Sequence, residues 1–384
     1  MESTVRAIFQ QHFESYARSH RLPVYVHRAA YWLSHCRTAA LGGHVRRCPE
    51  GHVERTWYNS CHQRICPQCQ AIEIERWLEQ QRARLLCCAH HHLIFTIPHE
   101  LNALWCYNRA ALAGILFGAV RAVLTELLAD PKYAGGRGAF LLGLHTWSRT
   151  LALHPHIHAL VADGAFTEAG VWLKPRRSHF LPARVVMLLF RGKFLDRVRT
   201  ALARGRLRLP PDTSGERMRS LLNKLGRKKW NVRLMARYAH GEGVAAYLAR
   251  YLRGGPLKNP QLLEVGATRI RFRCKGDAET DAREPLVLEL APPAFLERYM
   301  AHLPAPGQQR LRAYGLYAHT QRARLDRARA QLGQAPVAEP EPIGCEAFLA
   351  RFTRDESASR CPRCGLALQV LALAPHATGP PQLQ

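Results

Sequence analysis

The sequence predicts an α+β chain built partly around bound metal: a zinc-binding N-terminal module, a larger mixed domain and a small C-terminal cysteine-containing tail. Three observations carry this. Cysteines and histidines crowd into residues 36–69, where hydrophobic periodicity breaks down as it does in a module whose core is a metal. From residue 90 onward, segments of helical period and segments of strand alternation both occur. A further knuckle, Cys361-Pro-Arg-Cys364, lies at the far end of the 384-residue chain. That length suffices for two to three domains at about 150 residues each.

Taken in order, residues 1 to 35 read as helical, with Val5, Ile8, Phe9 and Phe13 at three- and four-residue intervals. His35 to Gln70 replaces periodicity with cysteines, histidines and Gly42, Gly43 and Gly51. Ala71 to Leu86 is a helix of alternating charge, and His92 to Pro98 alternates like a strand. Ala110 to Ala129 is the longest apolar segment; Arg121 and Glu126 interrupt it, which favours a buried or amphipathic helix over a membrane span. Turn-rich Lys132 to Arg137 precedes strand-like Ala139 to Leu144 and Leu151 to Val161. Residues 174–237 are helix-rich and basic, Val244 to Leu252 is a helix, Thr268 to Arg273 a strand, and 307–332 a long Arg-rich helix. The boundaries that follow are 1–89 for the helical and zinc-binding module, 90–332 for the large domain, 333–343 for a Pro- and Ala-containing linker and 344–384 for the tail.

Lys and Arg total 55 against 29 Asp and Glu, a net charge of +26. A hydrophobic share of 47% with 22% charged residues is that of a folded domain, which excludes dominant disorder and a polytopic membrane protein. The positive field points to a polyphosphate partner, nucleic acid first. The N-terminal segment is polar and mixed in charge, without the apolar core of an export signal, so the expected compartment is the cytoplasm, with no membrane partner. There, tightly spaced cysteines read as metal ligands.

Four ligands complete a tetrahedral zinc site. Cys66-x2-Cys69 supplies one knuckle and Cys48-x3-His52 a second, with Cys61 as the substitute. Cys36, His44 and Cys61 are candidates for a second site, although Cys36, Cys87, Cys88 and Cys106 also suit buried free thiols. Cys361 and Cys364 have only Cys345 nearby. In the strand Leu151 to Val161, alternation places His156 and His158 on one face about 7 Å apart, able to converge on one cation, with His154 on the same face. Tyr247 and Tyr251 are one helical turn apart in a cationic setting that includes Arg250, Arg253 and Lys258. Such aromatic pairs are commonly core. A phenol, with a pKa of about 10, attacks only when cationic neighbours or a metal assist.

Five segments in this order resemble the rolling-circle transposases of the insertion-sequence-91 family, which belong to the HUH nucleases (His, hydrophobic residue, His). They are Cys36-Arg-Thr-Ala-Ala-Leu-Gly-Gly-His44; Tyr58-Asn-Ser-Cys61 leading to Cys66-Pro-Gln-Cys69-Gln70; Phe95-Thr-Ile-Pro-His-Glu-Leu101; His154-Pro-His-Ile-His158; and Tyr247-Leu-Ala-Arg-Tyr-Leu-Arg-Gly-Gly-Pro256. The resemblance implies an HUH nuclease domain whose central antiparallel sheet, flanked by helices, carries the His pair, with the nucleophile on a neighbouring helix. It casts His156 and His158 as ligands of a catalytic divalent ion, Mg2+ or Mn2+, and Tyr247 and Tyr251 as paired nucleophiles. Where many relatives have a second cysteine between Cys48 and His52, this chain reads Pro49-Glu50-Gly51, which puts His52 forward as the fourth ligand of structural Zn2+. Arg149 stands where a third catalytic ligand is expected and cannot ligate a cation; His145, His99 and His240 are the candidates.

The expected reaction is nicking and rejoining of single-stranded DNA, at element ends and target, through a 5′-phosphotyrosine. The chain has no GxxxxGK[ST] loop, in keeping with strand transfer that needs no nucleotide triphosphate. Arg176, Arg177, Lys228, Lys229, Arg250 and Arg253 are the expected phosphate contacts, and Trp230 a base-stacking platform. Three other functions compete: a replication initiator or relaxase of the same chemistry, separated by genomic context; a non-catalytic zinc-dependent DNA-binding regulator, which would not cleave; and a metal-dependent hydrolase using water, which would leave no protein-bound DNA.

Overall fold

The structure, a computed structural model, describes residues 3–174, 180–243, 245–246, 249, 255–274, 286–352 and 359–375. Two helices open the chain, α1 (Val5–Ser19) and α2 (Val24–Ser34). Thr4 caps α1 by accepting from the Ala7 amide at 3.2 Å, and Val5, Ile8 and Phe9 form its buried stripe. A hairpin of β1 (Gly43–Arg47) and β2 (Glu54–Tyr58) and the helix α3 (Ala71–Arg84) complete the first part. The large part then runs β3 (His90–Thr96), α4 (Asn102–Tyr107), α5 (Arg109–Ala129), β4 (Ala139–Trp147), β5 (Leu153–Ala162), the short pair β6 (Ala165–Phe166) and β7 (Trp172–Leu173), α6 (Ala183–Ala203), α7 (Gly215–Arg227) and β8 (Val232–Tyr238).

A second sheet follows, β9 (Leu262–Val265), β10 (Ile270–Cys274) and β11 (Leu286–Leu290), then a helix Pro292–Met300, β12 (Leu311–Gly315), a helix Arg322–Gln331, a helix Cys345–Phe352 and β13 (Gln369–Leu373). The β9–β11 sheet and the helix Pro292–Met300 pack back onto α1, α2 and the cysteine module through Phe272, Phe295, Leu296 and Tyr299.

The central sheet has the order β12-β4-β5-β3-β8 and every neighbouring pair is antiparallel. Alternation along β5 explains its position in the middle. Ile157, Ala159 and Val161 join Leu93 and Phe95 of β3 and Phe140 and Leu142 of β4 in the core under α5 and α6. Leu160 and Ala162 face the other way, against Trp77 and Leu78 of α3 and Leu325 and Ala328 of the helix Arg322–Gln331. The 21-residue α5 is long and apolar enough to cross a membrane, and here its Leu116, Phe117, Val120 and Leu124 are wholly buried against the sheet.

Three segments differ from the sequence reading. Residues 307–332 are not one helix: Leu311–Gly315 is an edge strand and the helix starts at Arg322. Gly315 ends that strand at φ +60, where an added Cβ would lie 1.8 Å from the Gly138 carbonyl oxygen. Within 174–237, Val232–Tyr238 is a strand whose alternation is masked by interleaved arginines. The tail, set apart in the sequence reading, supplies β13, which pairs with β1 across five residues from Gly43↔Leu373 to Arg47↔Gln369.

Candidate catalytic and structural metal sites

The sheet positions the imidazoles. His145 lies directly opposite His156 in the β4–β5 register, and His158 follows two residues on, so all three project from the sheet face that carries Leu160 and Ala162. Their ligand nitrogens lie within 4.8 Å of one another. Of the three candidates for a third ligand, His145 is the one in this group; His99 and His240 are exposed and do not belong to it.

Tautomers follow from the partners. His156 Nδ1 donates to the His154 carbonyl at 2.6 Å, which leaves the lone pair on Nε2. His158 Nδ1 meets His92 Nε2 at 2.8 Å, and the two Nε2 atoms of His156 and His158 face each other at 3.0 Å. Three imidazole nitrogens gathered this closely are a donor set that suits a divalent cation. Burial pushes His156 and His92 down to about 4 and His158 down to about 2, and it holds His145 well below its ordinary value. Neutral imidazoles at neutral pH are competent ligands. His92 is the orienting residue that the sequence reading missed. The alternation of His90, His92, Ile94 and Thr96 along β3 was the signal available.

The expected nucleophiles Tyr247 and Tyr251 and the cations Arg176, Arg177, Arg250 and Arg253 lie outside the described residues. Ala245 and Ala249 are buried among Leu160 and Ala162 on the imidazole-bearing face. Lys228 is exposed and pairs with Glu100, and Lys229 is exposed. Lys228 lies at the edge of an open groove on α7 whose other lining residues include Glu216, Arg219, Asn223, Lys224 and Arg227. Trp230 is not a stacking platform. It is buried at 3% exposure, donates its indole N–H to the Leu225 carbonyl at 3.0 Å and packs edge-on to Phe190 and Phe194.

The zinc ligands are redistributed. Cys61, Cys66 and Cys69 are joined by Cys36, not by Cys48 or His52: Cys36 Sγ lies 3.2 Å from Cys69 and 3.7 Å from Cys66, and Cys61 lies 3.6 Å from Cys69. Tetrahedral zinc with bonds of about 2.3 Å puts its sulfurs about 3.8 Å apart, so this buried cluster of four cysteines fits the ion. Cys36, a candidate both for a second metal site and for a buried free thiol, is aimed into it by the turn after α2, where Arg37 takes φ 56 and its amide bonds the Asn59 carbonyl at 3.0 Å. Cys48 and His52 lie at the other end of the β1–β2 hairpin, about 17 Å away for five extended residues, too far to share that ion. They meet Cys361 and Cys364 instead. His44 belongs to neither cluster and stacks on Trp57.

An antiparallel sheet with a His-hydrophobic-His strand at its centre, joined to a four-cysteine module, defines an HUH-type nuclease. The family model described as "Transposase zinc-binding domain" matches residues 8–97, and that described as "Putative transposase" matches 138–324. The chain is 32% identical over 388 residues to "Putative transposase y4qJ" of Sinorhizobium fredii, covering 98% of this chain and 97% of that one. It is 30% identical over 292 residues to "Transposase for insertion sequence element IS801" of Pseudomonas savastanoi pv. phaseolicola, covering 74% and 68%. A solved structure titled "Conjugative Relaxase Trwc In Complex With Orit DNA. Metal-Bound Structure" aligns over 44% of this chain and 73% of that one at 14% identity, with a TM-score of 0.24. The chain belongs to the insertion-sequence-91 family of HUH rolling-circle transposases.

Proposed function

We propose that the chain nicks and rejoins single-stranded DNA at the ends of its element and at the target, through a tyrosine–DNA ester. The observation that carries this is the shared sheet face. His145, His156 and His158 gather on one face of the central sheet, and the segment that carries Ala245 and Ala249 packs against that same face. A divalent ion, Mg2+ or Mn2+, held by these three histidines would supply electrophilic activation of the scissile phosphodiester.

The rest falls to the chain's own groups. His92 and the His154 carbonyl hold the imidazoles in the tautomers that present Nε2. The phenol of Tyr247 or Tyr251 loses its proton as its oxygen bonds to phosphorus; the P–O3′ bond breaks, the 3′-oxygen takes a proton, and the 5′-phosphate stays on the tyrosine. Attack by another 3′-hydroxyl reverses the step, so the ester conserves the energy of the bond that it replaced. A second phenol allows a second strand end to be held. Arg219, Lys224, Arg227, Lys228 and Lys229 on and after α7 contact phosphates and retain the strand. Family membership favours transposition over replication initiation or conjugal relaxation.

The test is a labelled single-stranded oligonucleotide incubated with the full chain and Mn2+, then run on a denaturing gel. The parent protein forms a protein–DNA adduct, and Tyr247→Phe/Tyr251→Phe forms none. An adduct that persists in the double variant overturns the nucleophile assignment.

A further inference from the structure

We infer that the chain holds a second structural zinc, bound by Cys48, His52, Cys361 and Cys364, which clasps the C-terminal segment onto the N-terminal module. The donors come from two turns 316 residues apart and lie within 4.8 Å of one another. Cys48 Sγ is 3.5 Å from Cys364 Sγ and 3.8 Å from His52 Nδ1, and Cys361 Sγ is 4.0 Å from the same nitrogen. Tetrahedral zinc sets about 3.8 Å between sulfurs and about 3.6 Å between sulfur and nitrogen, and each of these separations lies within about 0.5 Å of its value. Three thiolates and one imidazole are a soft donor set that selects zinc over the hard divalent ions suited to phosphate chemistry.

Both turns have the build of metal knuckles. At the first, the Cys48 amide bonds the Val53 carbonyl at 2.8 Å and the Gly51 amide bonds the Cys48 carbonyl at 2.9 Å, with Gly51 at φ 71. At the second, the Cys361 amide bonds the Leu366 carbonyl at 2.8 Å, Gly365 takes φ 71, and the Arg363 amide donates to Cys361 Sγ at 3.4 Å. An amide aimed at a sulfur stabilises the thiolate that a cation requires.

The packing leaves this ion a task. Beyond the ladder to β1 and the approach of Leu373–Pro375 to Gly42, the buried apolar contacts of 359–375 among the described residues are one small cluster, Leu368 with Cys48 and Cys361. Val370 and Leu371 of β13 are 58% and 52% exposed. A strand so poorly buried gains little from the hydrophobic effect, and four metal bonds at its base supply the missing attachment.

The experiment counts zinc in the full chain carrying His156→Ala/His158→Ala, which removes the histidine site from the count. Two zinc ions per chain are expected, falling to one when Cys361→Ser/Cys364→Ser is added. The unsubstituted protein gives a second readout by maleimide labelling and mass spectrometry. With zinc bound, Cys48, Cys361 and Cys364 resist labelling while the exposed Cys345 reacts, and a strong chelator exposes them. One zinc in the parent, two retained after the cysteine substitutions, labelling of Cys361 and Cys364 as fast as Cys345, or a native mass showing a Cys48–Cys364 disulfide would each overturn the inference. Should the serine variant lose both ions by unfolding, the labelling pattern of the unsubstituted chain decides.

Discussion

Replacing His92 by alanine should weaken the proposed cation site without altering His145, His156 or His158. His92 is 4% exposed, and its Nε2 stands 2.8 Å from His158 Nδ1. Without it, the buried His158 ring loses the partner that fixes both its tautomer and its angle. Loss of such an outer partner typically lowers metal affinity about 10- to 100-fold, equivalent to about 1.4–2.7 kcal/mol. The assay is a Mn2+ titration of the full chain followed by calorimetry, alongside urea unfolding of the same samples. His90→Ala is the matched control. His90 lies on the same strand face and is fully buried, but it bonds Tyr317 Oη at 2.7 Å and the Cys88 carbonyl at 2.9 Å rather than any of the three ligands. Both variants should lose about 1–3 kcal/mol of stability for a broken buried hydrogen bond, and only His92→Ala should lose Mn2+. Equal Mn2+ affinity in His92→Ala and the parent would refute the assigned role.

Cys36→Ser should strip zinc from the four-cysteine cluster and abolish cooperative unfolding of the N-terminal module, read by metal content and circular dichroism; a mere buried thiol would leave the zinc in place. Trp230→Ala should cost about 3–5 kcal/mol in urea unfolding as a core cavity, whereas Lys224→Gln/Arg227→Gln should leave stability alone and flatten the salt dependence of single-strand binding. Asp163 accepts from His91 at 3.0 Å and Arg237 at 2.8 Å; burial raises its carboxyl, but these bonds prevail and hold it below its ordinary value. Its contribution is therefore present above the ordinary aspartate pKa of about 4 and lost as pH falls through the lower folded value. Asp163→Asn should cost about 1–3 kcal/mol at pH 7, and unfolding curves should show that deficit shrinking below about pH 4.

What the sequence made legible was local. The alternation from Leu151 to Val161 was sufficient to find β5 and to put His156 and His158 on one side of it. The third imidazole was only a candidate, because His145 reaches the site through the register of a different strand, which spacing along the chain does not encode. The same reasoning explains the zinc ligands. Cys66-x2-Cys69 announces itself, but Cys36 is aimed by a single left-handed turn, and the true companions of Cys48 and His52 arrive from 316 residues away. Trp230 was misread because the lysines and arginines around it suggest exposure; the rings of Phe190 and Phe194 that cover it belong to α6. The arginines of 307–332 likewise hid a strand break at Gly315.

The two-sidedness of β5 has a consequence for how this protein can vary. Because odd and even positions serve opposite sides, losing or gaining one codon between Leu153 and Ala162 would swing the imidazoles into the oily layer beneath α5 and turn Ile157, Ala159 and Val161 towards the side that now carries the histidines. Folding and chemistry would fail in the same event. A change of length in this stretch is therefore more damaging than a single exchange of side chain on either of its faces.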